Sequence, residues 1–425
     1  MVDPRDEGRR RPVRRPFTRR DFMRLAGVGA VGSPLLAACA RSTGATGGAS
    51  PTATLQVASP ANPVTWPIST ANPPIASGLT PEKNATLQLY NYADYLDPAA
   101  IKSFEAKYKS AGVKVKLTTF NDIPEALAKI RSGAVPFDIF IGSSYDTIGK
   151  MVTTGLVRPL NHDYIPNIKN VWPEFTNPFY DGGWRYTIPY TIYTTGIAWR
   201  TDMAKEDVAI RANPWDVFWD KQYAGKISVL DDYRETPSMV LLRHGISDVN
   251  TGDDAQLAMV QADLQAMTQA TRPKVTINAY SEMPDGKYAV SHVWSGDAVN
   301  MQYYLPKGGD PSIFRYWFPP NGKGLVNNDL IVVLTGGKNP VLAHLFLNHV
   351  LNADVALGNF GQTGYQPPQV SLTPSALVDQ EYVPPNLESA VVLPEFFASG
   401  YRTLELSPAV DAKWLALWQR FKAGG

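Results

Sequence analysis

The sequence predicts an α/β protein of two units, each a mostly parallel sheet flanked by helices. Three observations carry that reading. From residue 86 onward, strand-like and helix-like segments alternate, the order that builds doubly wound sheets. The 425 residues are 44% hydrophobic and include 10 Trp, 20 Tyr and 16 Phe, enough for two domains of ordinary size. Two units, with the chain crossing between them near Pro189–Tyr193 and again near Asn327–Asp329, would account for the length. There is no internal repeat of fixed period. No apolar run approaches the ~20 residues of a membrane-spanning helix, so nothing reads as a helical channel or carrier.

The N-terminal segment reads as an address. Residues 1–38 carry nine Arg and four acids, leaving 31 of the 40 basic and 35 of the 39 acidic residues for the rest, a net charge of −4. That mildly acidic body lacks the basic footprint of a nucleic-acid binder. Arg19 and Arg20 precede the uncharged, Gly- and Ala-rich stretch Leu25–Ala38, too short to span a bilayer and typical of an export signal. The pair, with Phe22 close behind, resembles the twin-arginine signal. Cys39, the only cysteine, closes Leu36-Ala37-Ala38-Cys39, which resembles a bacterial lipobox whose thiol takes a lipid. One cysteine excludes a disulfide framework. Residues 39–84 are rich in Ser, Thr, Ala, Gly and Pro, the composition of a disordered tether.

The body then alternates. Thr86–Tyr92 has strand periodicity. Asp97-Pro98 supplies an N-cap and a first-turn proline for a helix with Ile101, Phe104 and Tyr108 on one face, stopped at Gly112. Val113, Val115 and Leu117 alternate with Lys114 and Lys116 as a second strand. Ile123, Leu127 and Ile130 mark a helix ending at Gly133, and Phe137–Gly142 is a buried strand running into Ser143-Ser144-Tyr145. Later come a strand at Ile227–Leu230 with a helix to about His244, a strand at Ala289–Trp294, and a helix opened by Asn339-Pro340.

Catalytic motifs are missing. His162, His244, His292, His344 and His349 form neither HExxH nor a recognisable triad, and there is no GxSxG, P-loop or GxGxxG. The informative residues are aromatics and acids at the carboxyl ends of strands, where open α/β sheets bind ligands. They are Tyr92, Asp94 and Tyr95; Ser143 and Tyr145; Asp232, Arg234 and Glu235; Trp294 and Asp297; and Asp329. Each has a plainer reading as well. Asp232 with Glu235 three residues on fits a capping box, and the aromatics fit a core. Taken together, flat rings with carboxylates between them suit an ammonium ligand on an apolar stem.

In order along the chain, Leu89-Tyr90-Asn91-Tyr92-Ala93-Asp94-Tyr95, Phe137-Asp138 to Lys150-Met151, Ile188-Pro189-Tyr190, Asp231-Asp232-Tyr233-Arg234-Glu235, Val293-Trp294-Ser295-Gly296, Gly364-Tyr365 and the last helix around Trp418–Phe421 resemble the spermidine/putrescine-binding proteins of bacterial ABC transporters. The resemblance covers roughly residues 85–425. It implies a two-lobed periplasmic-binding-protein-like fold with two crossover hinge strands: residues 85–192 and 329–373 as the N-terminal lobe, 193–328 and 374–425 as the C-terminal lobe. It also implies ligand contacts at Tyr92, Asp94, Tyr95, Ser143, Tyr145, Asp232, Glu235, Trp294, Asp329, Tyr365 and Gln419. Departures are Tyr92 for a Trp, Ala93 for a Thr, Asp94 for a Glu, and Asn327 where a second Trp forms the opposite wall. The implied function is an extracytoplasmic, lipid-anchored binding protein, not an enzyme. It captures a polyamine by closing and passes it to an inner-membrane permease, as a monomer, with no cofactor, metal or nucleic acid. The alternatives are another solute on the same fold (an amine, a sugar derivative, or iron at Tyr303-Tyr304) and an exported lipid-anchored hydrolase.

Overall fold

The computed structural model describes residues 57–120 and 123–424. The expected signal with Arg19 and Arg20, the expected lipidation site Cys39, and the tether as far as residue 56 lie outside the described residues.

Local sequence forms the first elements as their patterns require. Strand β1 (Thr86–Tyr92) buries Leu87 and Leu89 while Thr86 stays exposed. Asp97 accepts from the Ala99 N–H at 2.8 Å and Pro98 opens α1 (Pro98–Lys107). The helix tightens into a 3₁₀ turn that ends at Gly112, whose φ of 69° is left-handed. Then follow β2 (Lys114–Phe120), α2 (Ile123–Ser132), β3 (Ile139–Ser144), α3 (Ile148–Thr153) and the long β4 (Thr187–Arg200). The second half runs β5 (Ile227–Val229), α4 (Glu235–Arg243), α5 (Asp254–Thr271), β6 (Lys274–Val275), α6 (Ala279–Glu282), β7 (Val290–Trp294), α7 (Ser295–Asn300), β8 (Phe314–Trp317) and β9 (Leu325–Val333). Helices α8 (Pro340–Val350), α9 (Ala353–Thr363), α10 (Pro374–Asp379), α11 (Pro394–Ser399) and α12 (Pro408–Lys422) complete the chain.

The nine strands among the described residues join one sheet, in the order β2-β1-β3-β9-β4-β7-β5-β6, with β8 paired to β4. Strands β2, β1 and β3 are mutually parallel, as are β6, β5 and β7. Between these halves stand β9 and β4, antiparallel to each other and to their outer neighbours. The two crossings expected from the sequence face one another in register: Pro189 opposite Leu330, Thr191 opposite Asp329, Ile192 opposite Asn328, Tyr193 opposite Asn327.

Apolar packing covers both faces. One core joins Leu87, Phe104, Ile139 and Phe346 and continues through Ile192, Phe314, Leu387 and Phe397, so it runs past the expected lobe boundary. A second lies under α4, α5 and α12, around Ile197, Val229, Leu264 and Trp414. The third covers the other face of the first half, around Tyr90, Phe137, Phe140 and Tyr180.

The expectation of a disordered tether through residue 84 is overturned for residues 57–84, which run as a strap along the first half. Val64 and Trp66 are buried in the third core. The Trp66 indole donates to the Tyr180 carbonyl at 2.8 Å, and Arg185 and Tyr186 donate to the carbonyls of Trp66 and Pro67. Farther on, Asn72 donates to the Val157 carbonyl, and the Glu82 carboxylate accepts the Val341 and Leu342 N–H groups at the start of α8. Composition misled here because two large apolar side chains and a few backbone bonds suffice to dock a polar segment. Trp66→Ala is expected to destabilise the protein by about 3–5 kcal/mol, the cost of emptying a buried indole site. Urea unfolding checks this: a loss below about 0.5 kcal/mol would mean that the strap is only laid on the surface.

Candidate functional site

The sheet's topology brings the carboxyl ends of β1, β5 and β7 to the line where β4 and β9 cross. At the end of β1, the Tyr92 ring lies 4.3 Å from Phe120, tilted by 52°, and 6.1 Å from Tyr95, edge-on, centre to centre. It lies against the backbone of Gly142, where a Cβ would come within 2.8 Å of the ring and φ is 96°, so only glycine fits. Tyr95 is buried, and its hydroxyl donates to Asp329 Oδ2 at 2.8 Å and bonds Thr191 Oγ1 at 2.5 Å. Its ring is edge-on to Tyr190 and Tyr365, each 5.2 Å away.

On the other side, Asp232 Oδ1 accepts the Arg234 and Glu235 N–H groups at 2.8 Å each, the helix-capping role. Glu235 does not close a capping box. Its carboxylate turns inward, accepts from Asn327 Nδ2 at 2.8 Å on Oε1, and leaves Oε2 buried with no hydrogen bond among the described residues. Trp294 and Thr195 stand beside it. Asp297, in the first turn of α7, accepts from the Tyr365 hydroxyl at 2.9 Å on Oδ1 and likewise leaves Oδ2 buried and unbonded among the described residues. The Tyr365 ring rests on Gly296, where a Cβ would come within 2.5 Å.

These acids share an electrostatic condition. Burial, then the Asp232 charge, pushes the Glu235 carboxyl up to about 8, while Thr195, Trp294 and Asn327 hold it lower than burial alone would. Burial lifts Asp297 to about 7 and Asp329 to about 7 against the tyrosines that donate to them, and it raises Asp232 against its two backbone donors. No Lys or Arg forms an ion pair with any of the four among the described residues. The Arg234 charge lies near Asp232, but its guanidinium is spent on the Leu404 and Val249 carbonyls and Asn250. Desolvated carboxylates with lone pairs to spare, walled by Tyr92, Tyr95, Trp294 and Tyr365, can hold a cation with an apolar body.

The structure thus brings together Tyr95, Asp232, Glu235, Trp294, Asp329 and Tyr365, with Tyr92 beside them. The remaining expected contacts fall otherwise. Asp94 is exposed at a left-handed φ of 55° and joins the acids by no described hydrogen bond. The Ser143 hydroxyl bonds Thr147 Oγ1 at 3.2 Å. Tyr145 donates to Asn327 Oδ1 and reaches the site only through that residue. Gln419 lies on the exposed face of α12, whose Trp414, Leu417, Trp418 and Phe421 are buried in the second core. It is not brought to the acids. Sequence reasoning missed Tyr193, Asn327 as a partner of Glu235, and the reach of Asp297. The last had a signal, an acid three residues after a strand-end Trp.

Comparison with known proteins places these features in context. The family model for bacterial extracellular solute-binding proteins matches residues 99–382. The chain is 27% identical over 279 residues to the spermidine/putrescine-binding periplasmic protein 1 of Haemophilus influenzae, covering 65% of this chain and 73% of that one. It is 24% identical over 373 residues to a putrescine-binding periplasmic protein of Escherichia coli, covering 82% and 95%. The crystal structure of a spermidine/putrescine ABC transporter substrate-binding protein from Streptococcus pneumoniae superposes with a TM-score of 0.65 at 26% identity, covering 80% of this chain and 99% of that one.

A carboxyl whose folded pKa lies above its unfolded value loses stability for the fold as pH rises from the unfolded toward the folded value. Glu235, near 4.5 unfolded and about 8 folded, therefore weakens the ligand-free protein between about pH 5 and 8. Glu235→Gln, a mimic of the protonated acid, is expected to raise Tm relative to the parent by an increment that is small at pH 5 and grows toward pH 8. Melting curves across that range check it, and an increment independent of pH would contradict the assignment.

Proposed function

The chain belongs to the bacterial extracellular solute-binding proteins, and on that premise we propose that it captures a polyamine, spermidine or putrescine, and delivers it to the permease of an ABC importer. The observation that carries this reading is the set of four carboxylates, Asp232, Glu235, Asp297 and Asp329, desolvated without basic partners among the described residues and interleaved with aromatic rings. A polyamine supplies ammonium groups for the carboxylates and methylenes for the rings. The names of the relatives point to the same ligand class.

The mechanism is closure. Asp232 and Glu235 stand at the start of α4 in the second half, Tyr95 follows β1 in the first, and Asp329 sits on the crossover β9. A ligand held by all of them gains contacts in the closed form that an open form cannot make, and that difference drives the equilibrium. The lobes that move are residues 85–192 with 329–373 and residues 193–328 with 374–425. Export by the Arg19-Arg20 signal and lipidation at Cys39 would keep the protein, a monomer, at the outer side of the membrane beside its permease.

Calorimetric titration of residues 57–425, stripped of bound solute, with spermidine and putrescine tests the ligand class. Tight binding of either, with weak binding of monoamines, is expected; silence toward all amines from folded protein would move the assignment to another solute. Because the acids take up protons near neutrality and must release them to a cation, affinity is expected to be about tenfold or more weaker at pH 6 than at pH 8. Asp232→Asn keeps the capping oxygen but removes the charge, and is expected to lower affinity by roughly 2 kcal/mol or more, about thirtyfold. Unchanged binding would remove Asp232 from the site. In cells, Cys39→Ala is expected to shift the protein from the membrane to the soluble extracytoplasmic fraction, and a membrane pool that persisted would refute the anchor.

A further inference from the structure

Tyr193 belongs to no expected contact set, yet it occupies the middle of the site. It lies on β4 directly opposite Asn327 of β9, so the two side chains share one face of the sheet. Asn327 turns its amide to Glu235 and to the Tyr145 hydroxyl and offers no ring. Tyr193 does: its centroid is 6.2 Å from that of Trp294 at 70° and 5.9 Å from that of Tyr365 at 85°. Tyr193 thus meets both rings edge-on.

Thr191, Tyr193 and Thr195 point to the same face of β4. Thr191 lies opposite Asp329 and bonds the tyrosine that donates to it. Thr195 stands beside Glu235. From Thr191 to Thr195 the strand rises roughly 13 Å, with Tyr193 halfway. A chain carrying ammonium groups at Asp329 and at Glu235 has to pass along the Tyr193 ring.

We propose that Tyr193 is the specificity-determining residue of the site: its ring walls the run between the Glu235 and Asp329 ends and selects amines by chain length, favouring a triamine long enough to reach both. This inference rests on the polyamine reading. Removing the ring costs a triamine the apolar wall between its two anchored ends, whereas a diamine, too short to reach both acids, has less chain on the ring to lose.

The test is calorimetric titration of the parent, Tyr193→Phe and Tyr193→Ala with putrescine and spermidine, with melting curves as the folding control. Tyr193→Ala is expected to lose roughly tenfold or more for spermidine and less than about threefold for putrescine. Tyr193→Phe keeps the ring and is expected to hold the ratio of the two affinities within about twofold of the parent. If the alanine variant does not fold, Tyr193→Leu, which fills much of the space without an aromatic face, carries the same comparison and is expected to raise the putrescine-to-spermidine ratio at least threefold. Equal losses for both amines would overturn the proposal while leaving the polyamine reading intact. A parent that binds neither amine would overturn both.

Discussion

The antiparallel pairing of β4 with β9 is the constraint on which the rest depends. Eight residue pairs, from Thr187 opposite Val332 to Thr195 opposite Leu325, zip the two strands that stand between the parallel halves. Parallel triplets cannot share an edge through short turns, so each half needs a crossover to reach the other. That pairing places Asp329 opposite Thr191 and Asn327 opposite Tyr193. The same hydrogen bonds that join the halves therefore also set one acid, one amide and one ring of the site at fixed spacing. The bulges beside Pro189 and Ser143 adjust the register just where the site begins.

Around that line the molecule keeps acids in a state that folding alone does not favour. Burying carboxylates without cations costs free energy, and the pKa values of Glu235, Asp297 and Asp329 near 7 to 8 express that cost at neutral pH. Structural acids of the same chain are treated differently. Asp138 accepts from Asn339 and from the Gln88 N–H, and Asp220 is held low by Arg211 and its neighbours. Asp181, raised to about 6 by burial, differs from the site acids in spending its Oδ2 on the Tyr186 and Thr187 donors. Large cores on both faces of the sheet, together with the strap that buries Trp66, offset the difference.

Periodicity and capping are properties of a few adjacent residues, and these were legible. The bounds of β1, the Asp97-Pro98 start of α1, the stop at Gly112, the strand ending at Trp294 and the helix after Asn339 follow from spacing that the chain carries locally. The resemblance supplied most of the acids and rings in order. The strap was not legible, because a segment's mean composition does not reveal that Trp66 has a slot to enter. Nor was the idle end of Glu235, since a capping box and an inward-turned carboxylate share one sequence pattern.

By itself, then, the sequence determined the element types, the alternating order that makes two parallel halves, and the acids and rings available to the proposed site, because each rests on local pattern or residue type. Tertiary structure alone decided that Tyr193 faces Asn327, that Asp297 joins the acids through Tyr365, that Gln419 stands apart from them, and that residues 57–84 are docked. Each of these depends on register or burial between segments far apart in the chain, and such pairings are settled by the packing of the whole sheet, which no local pattern encodes.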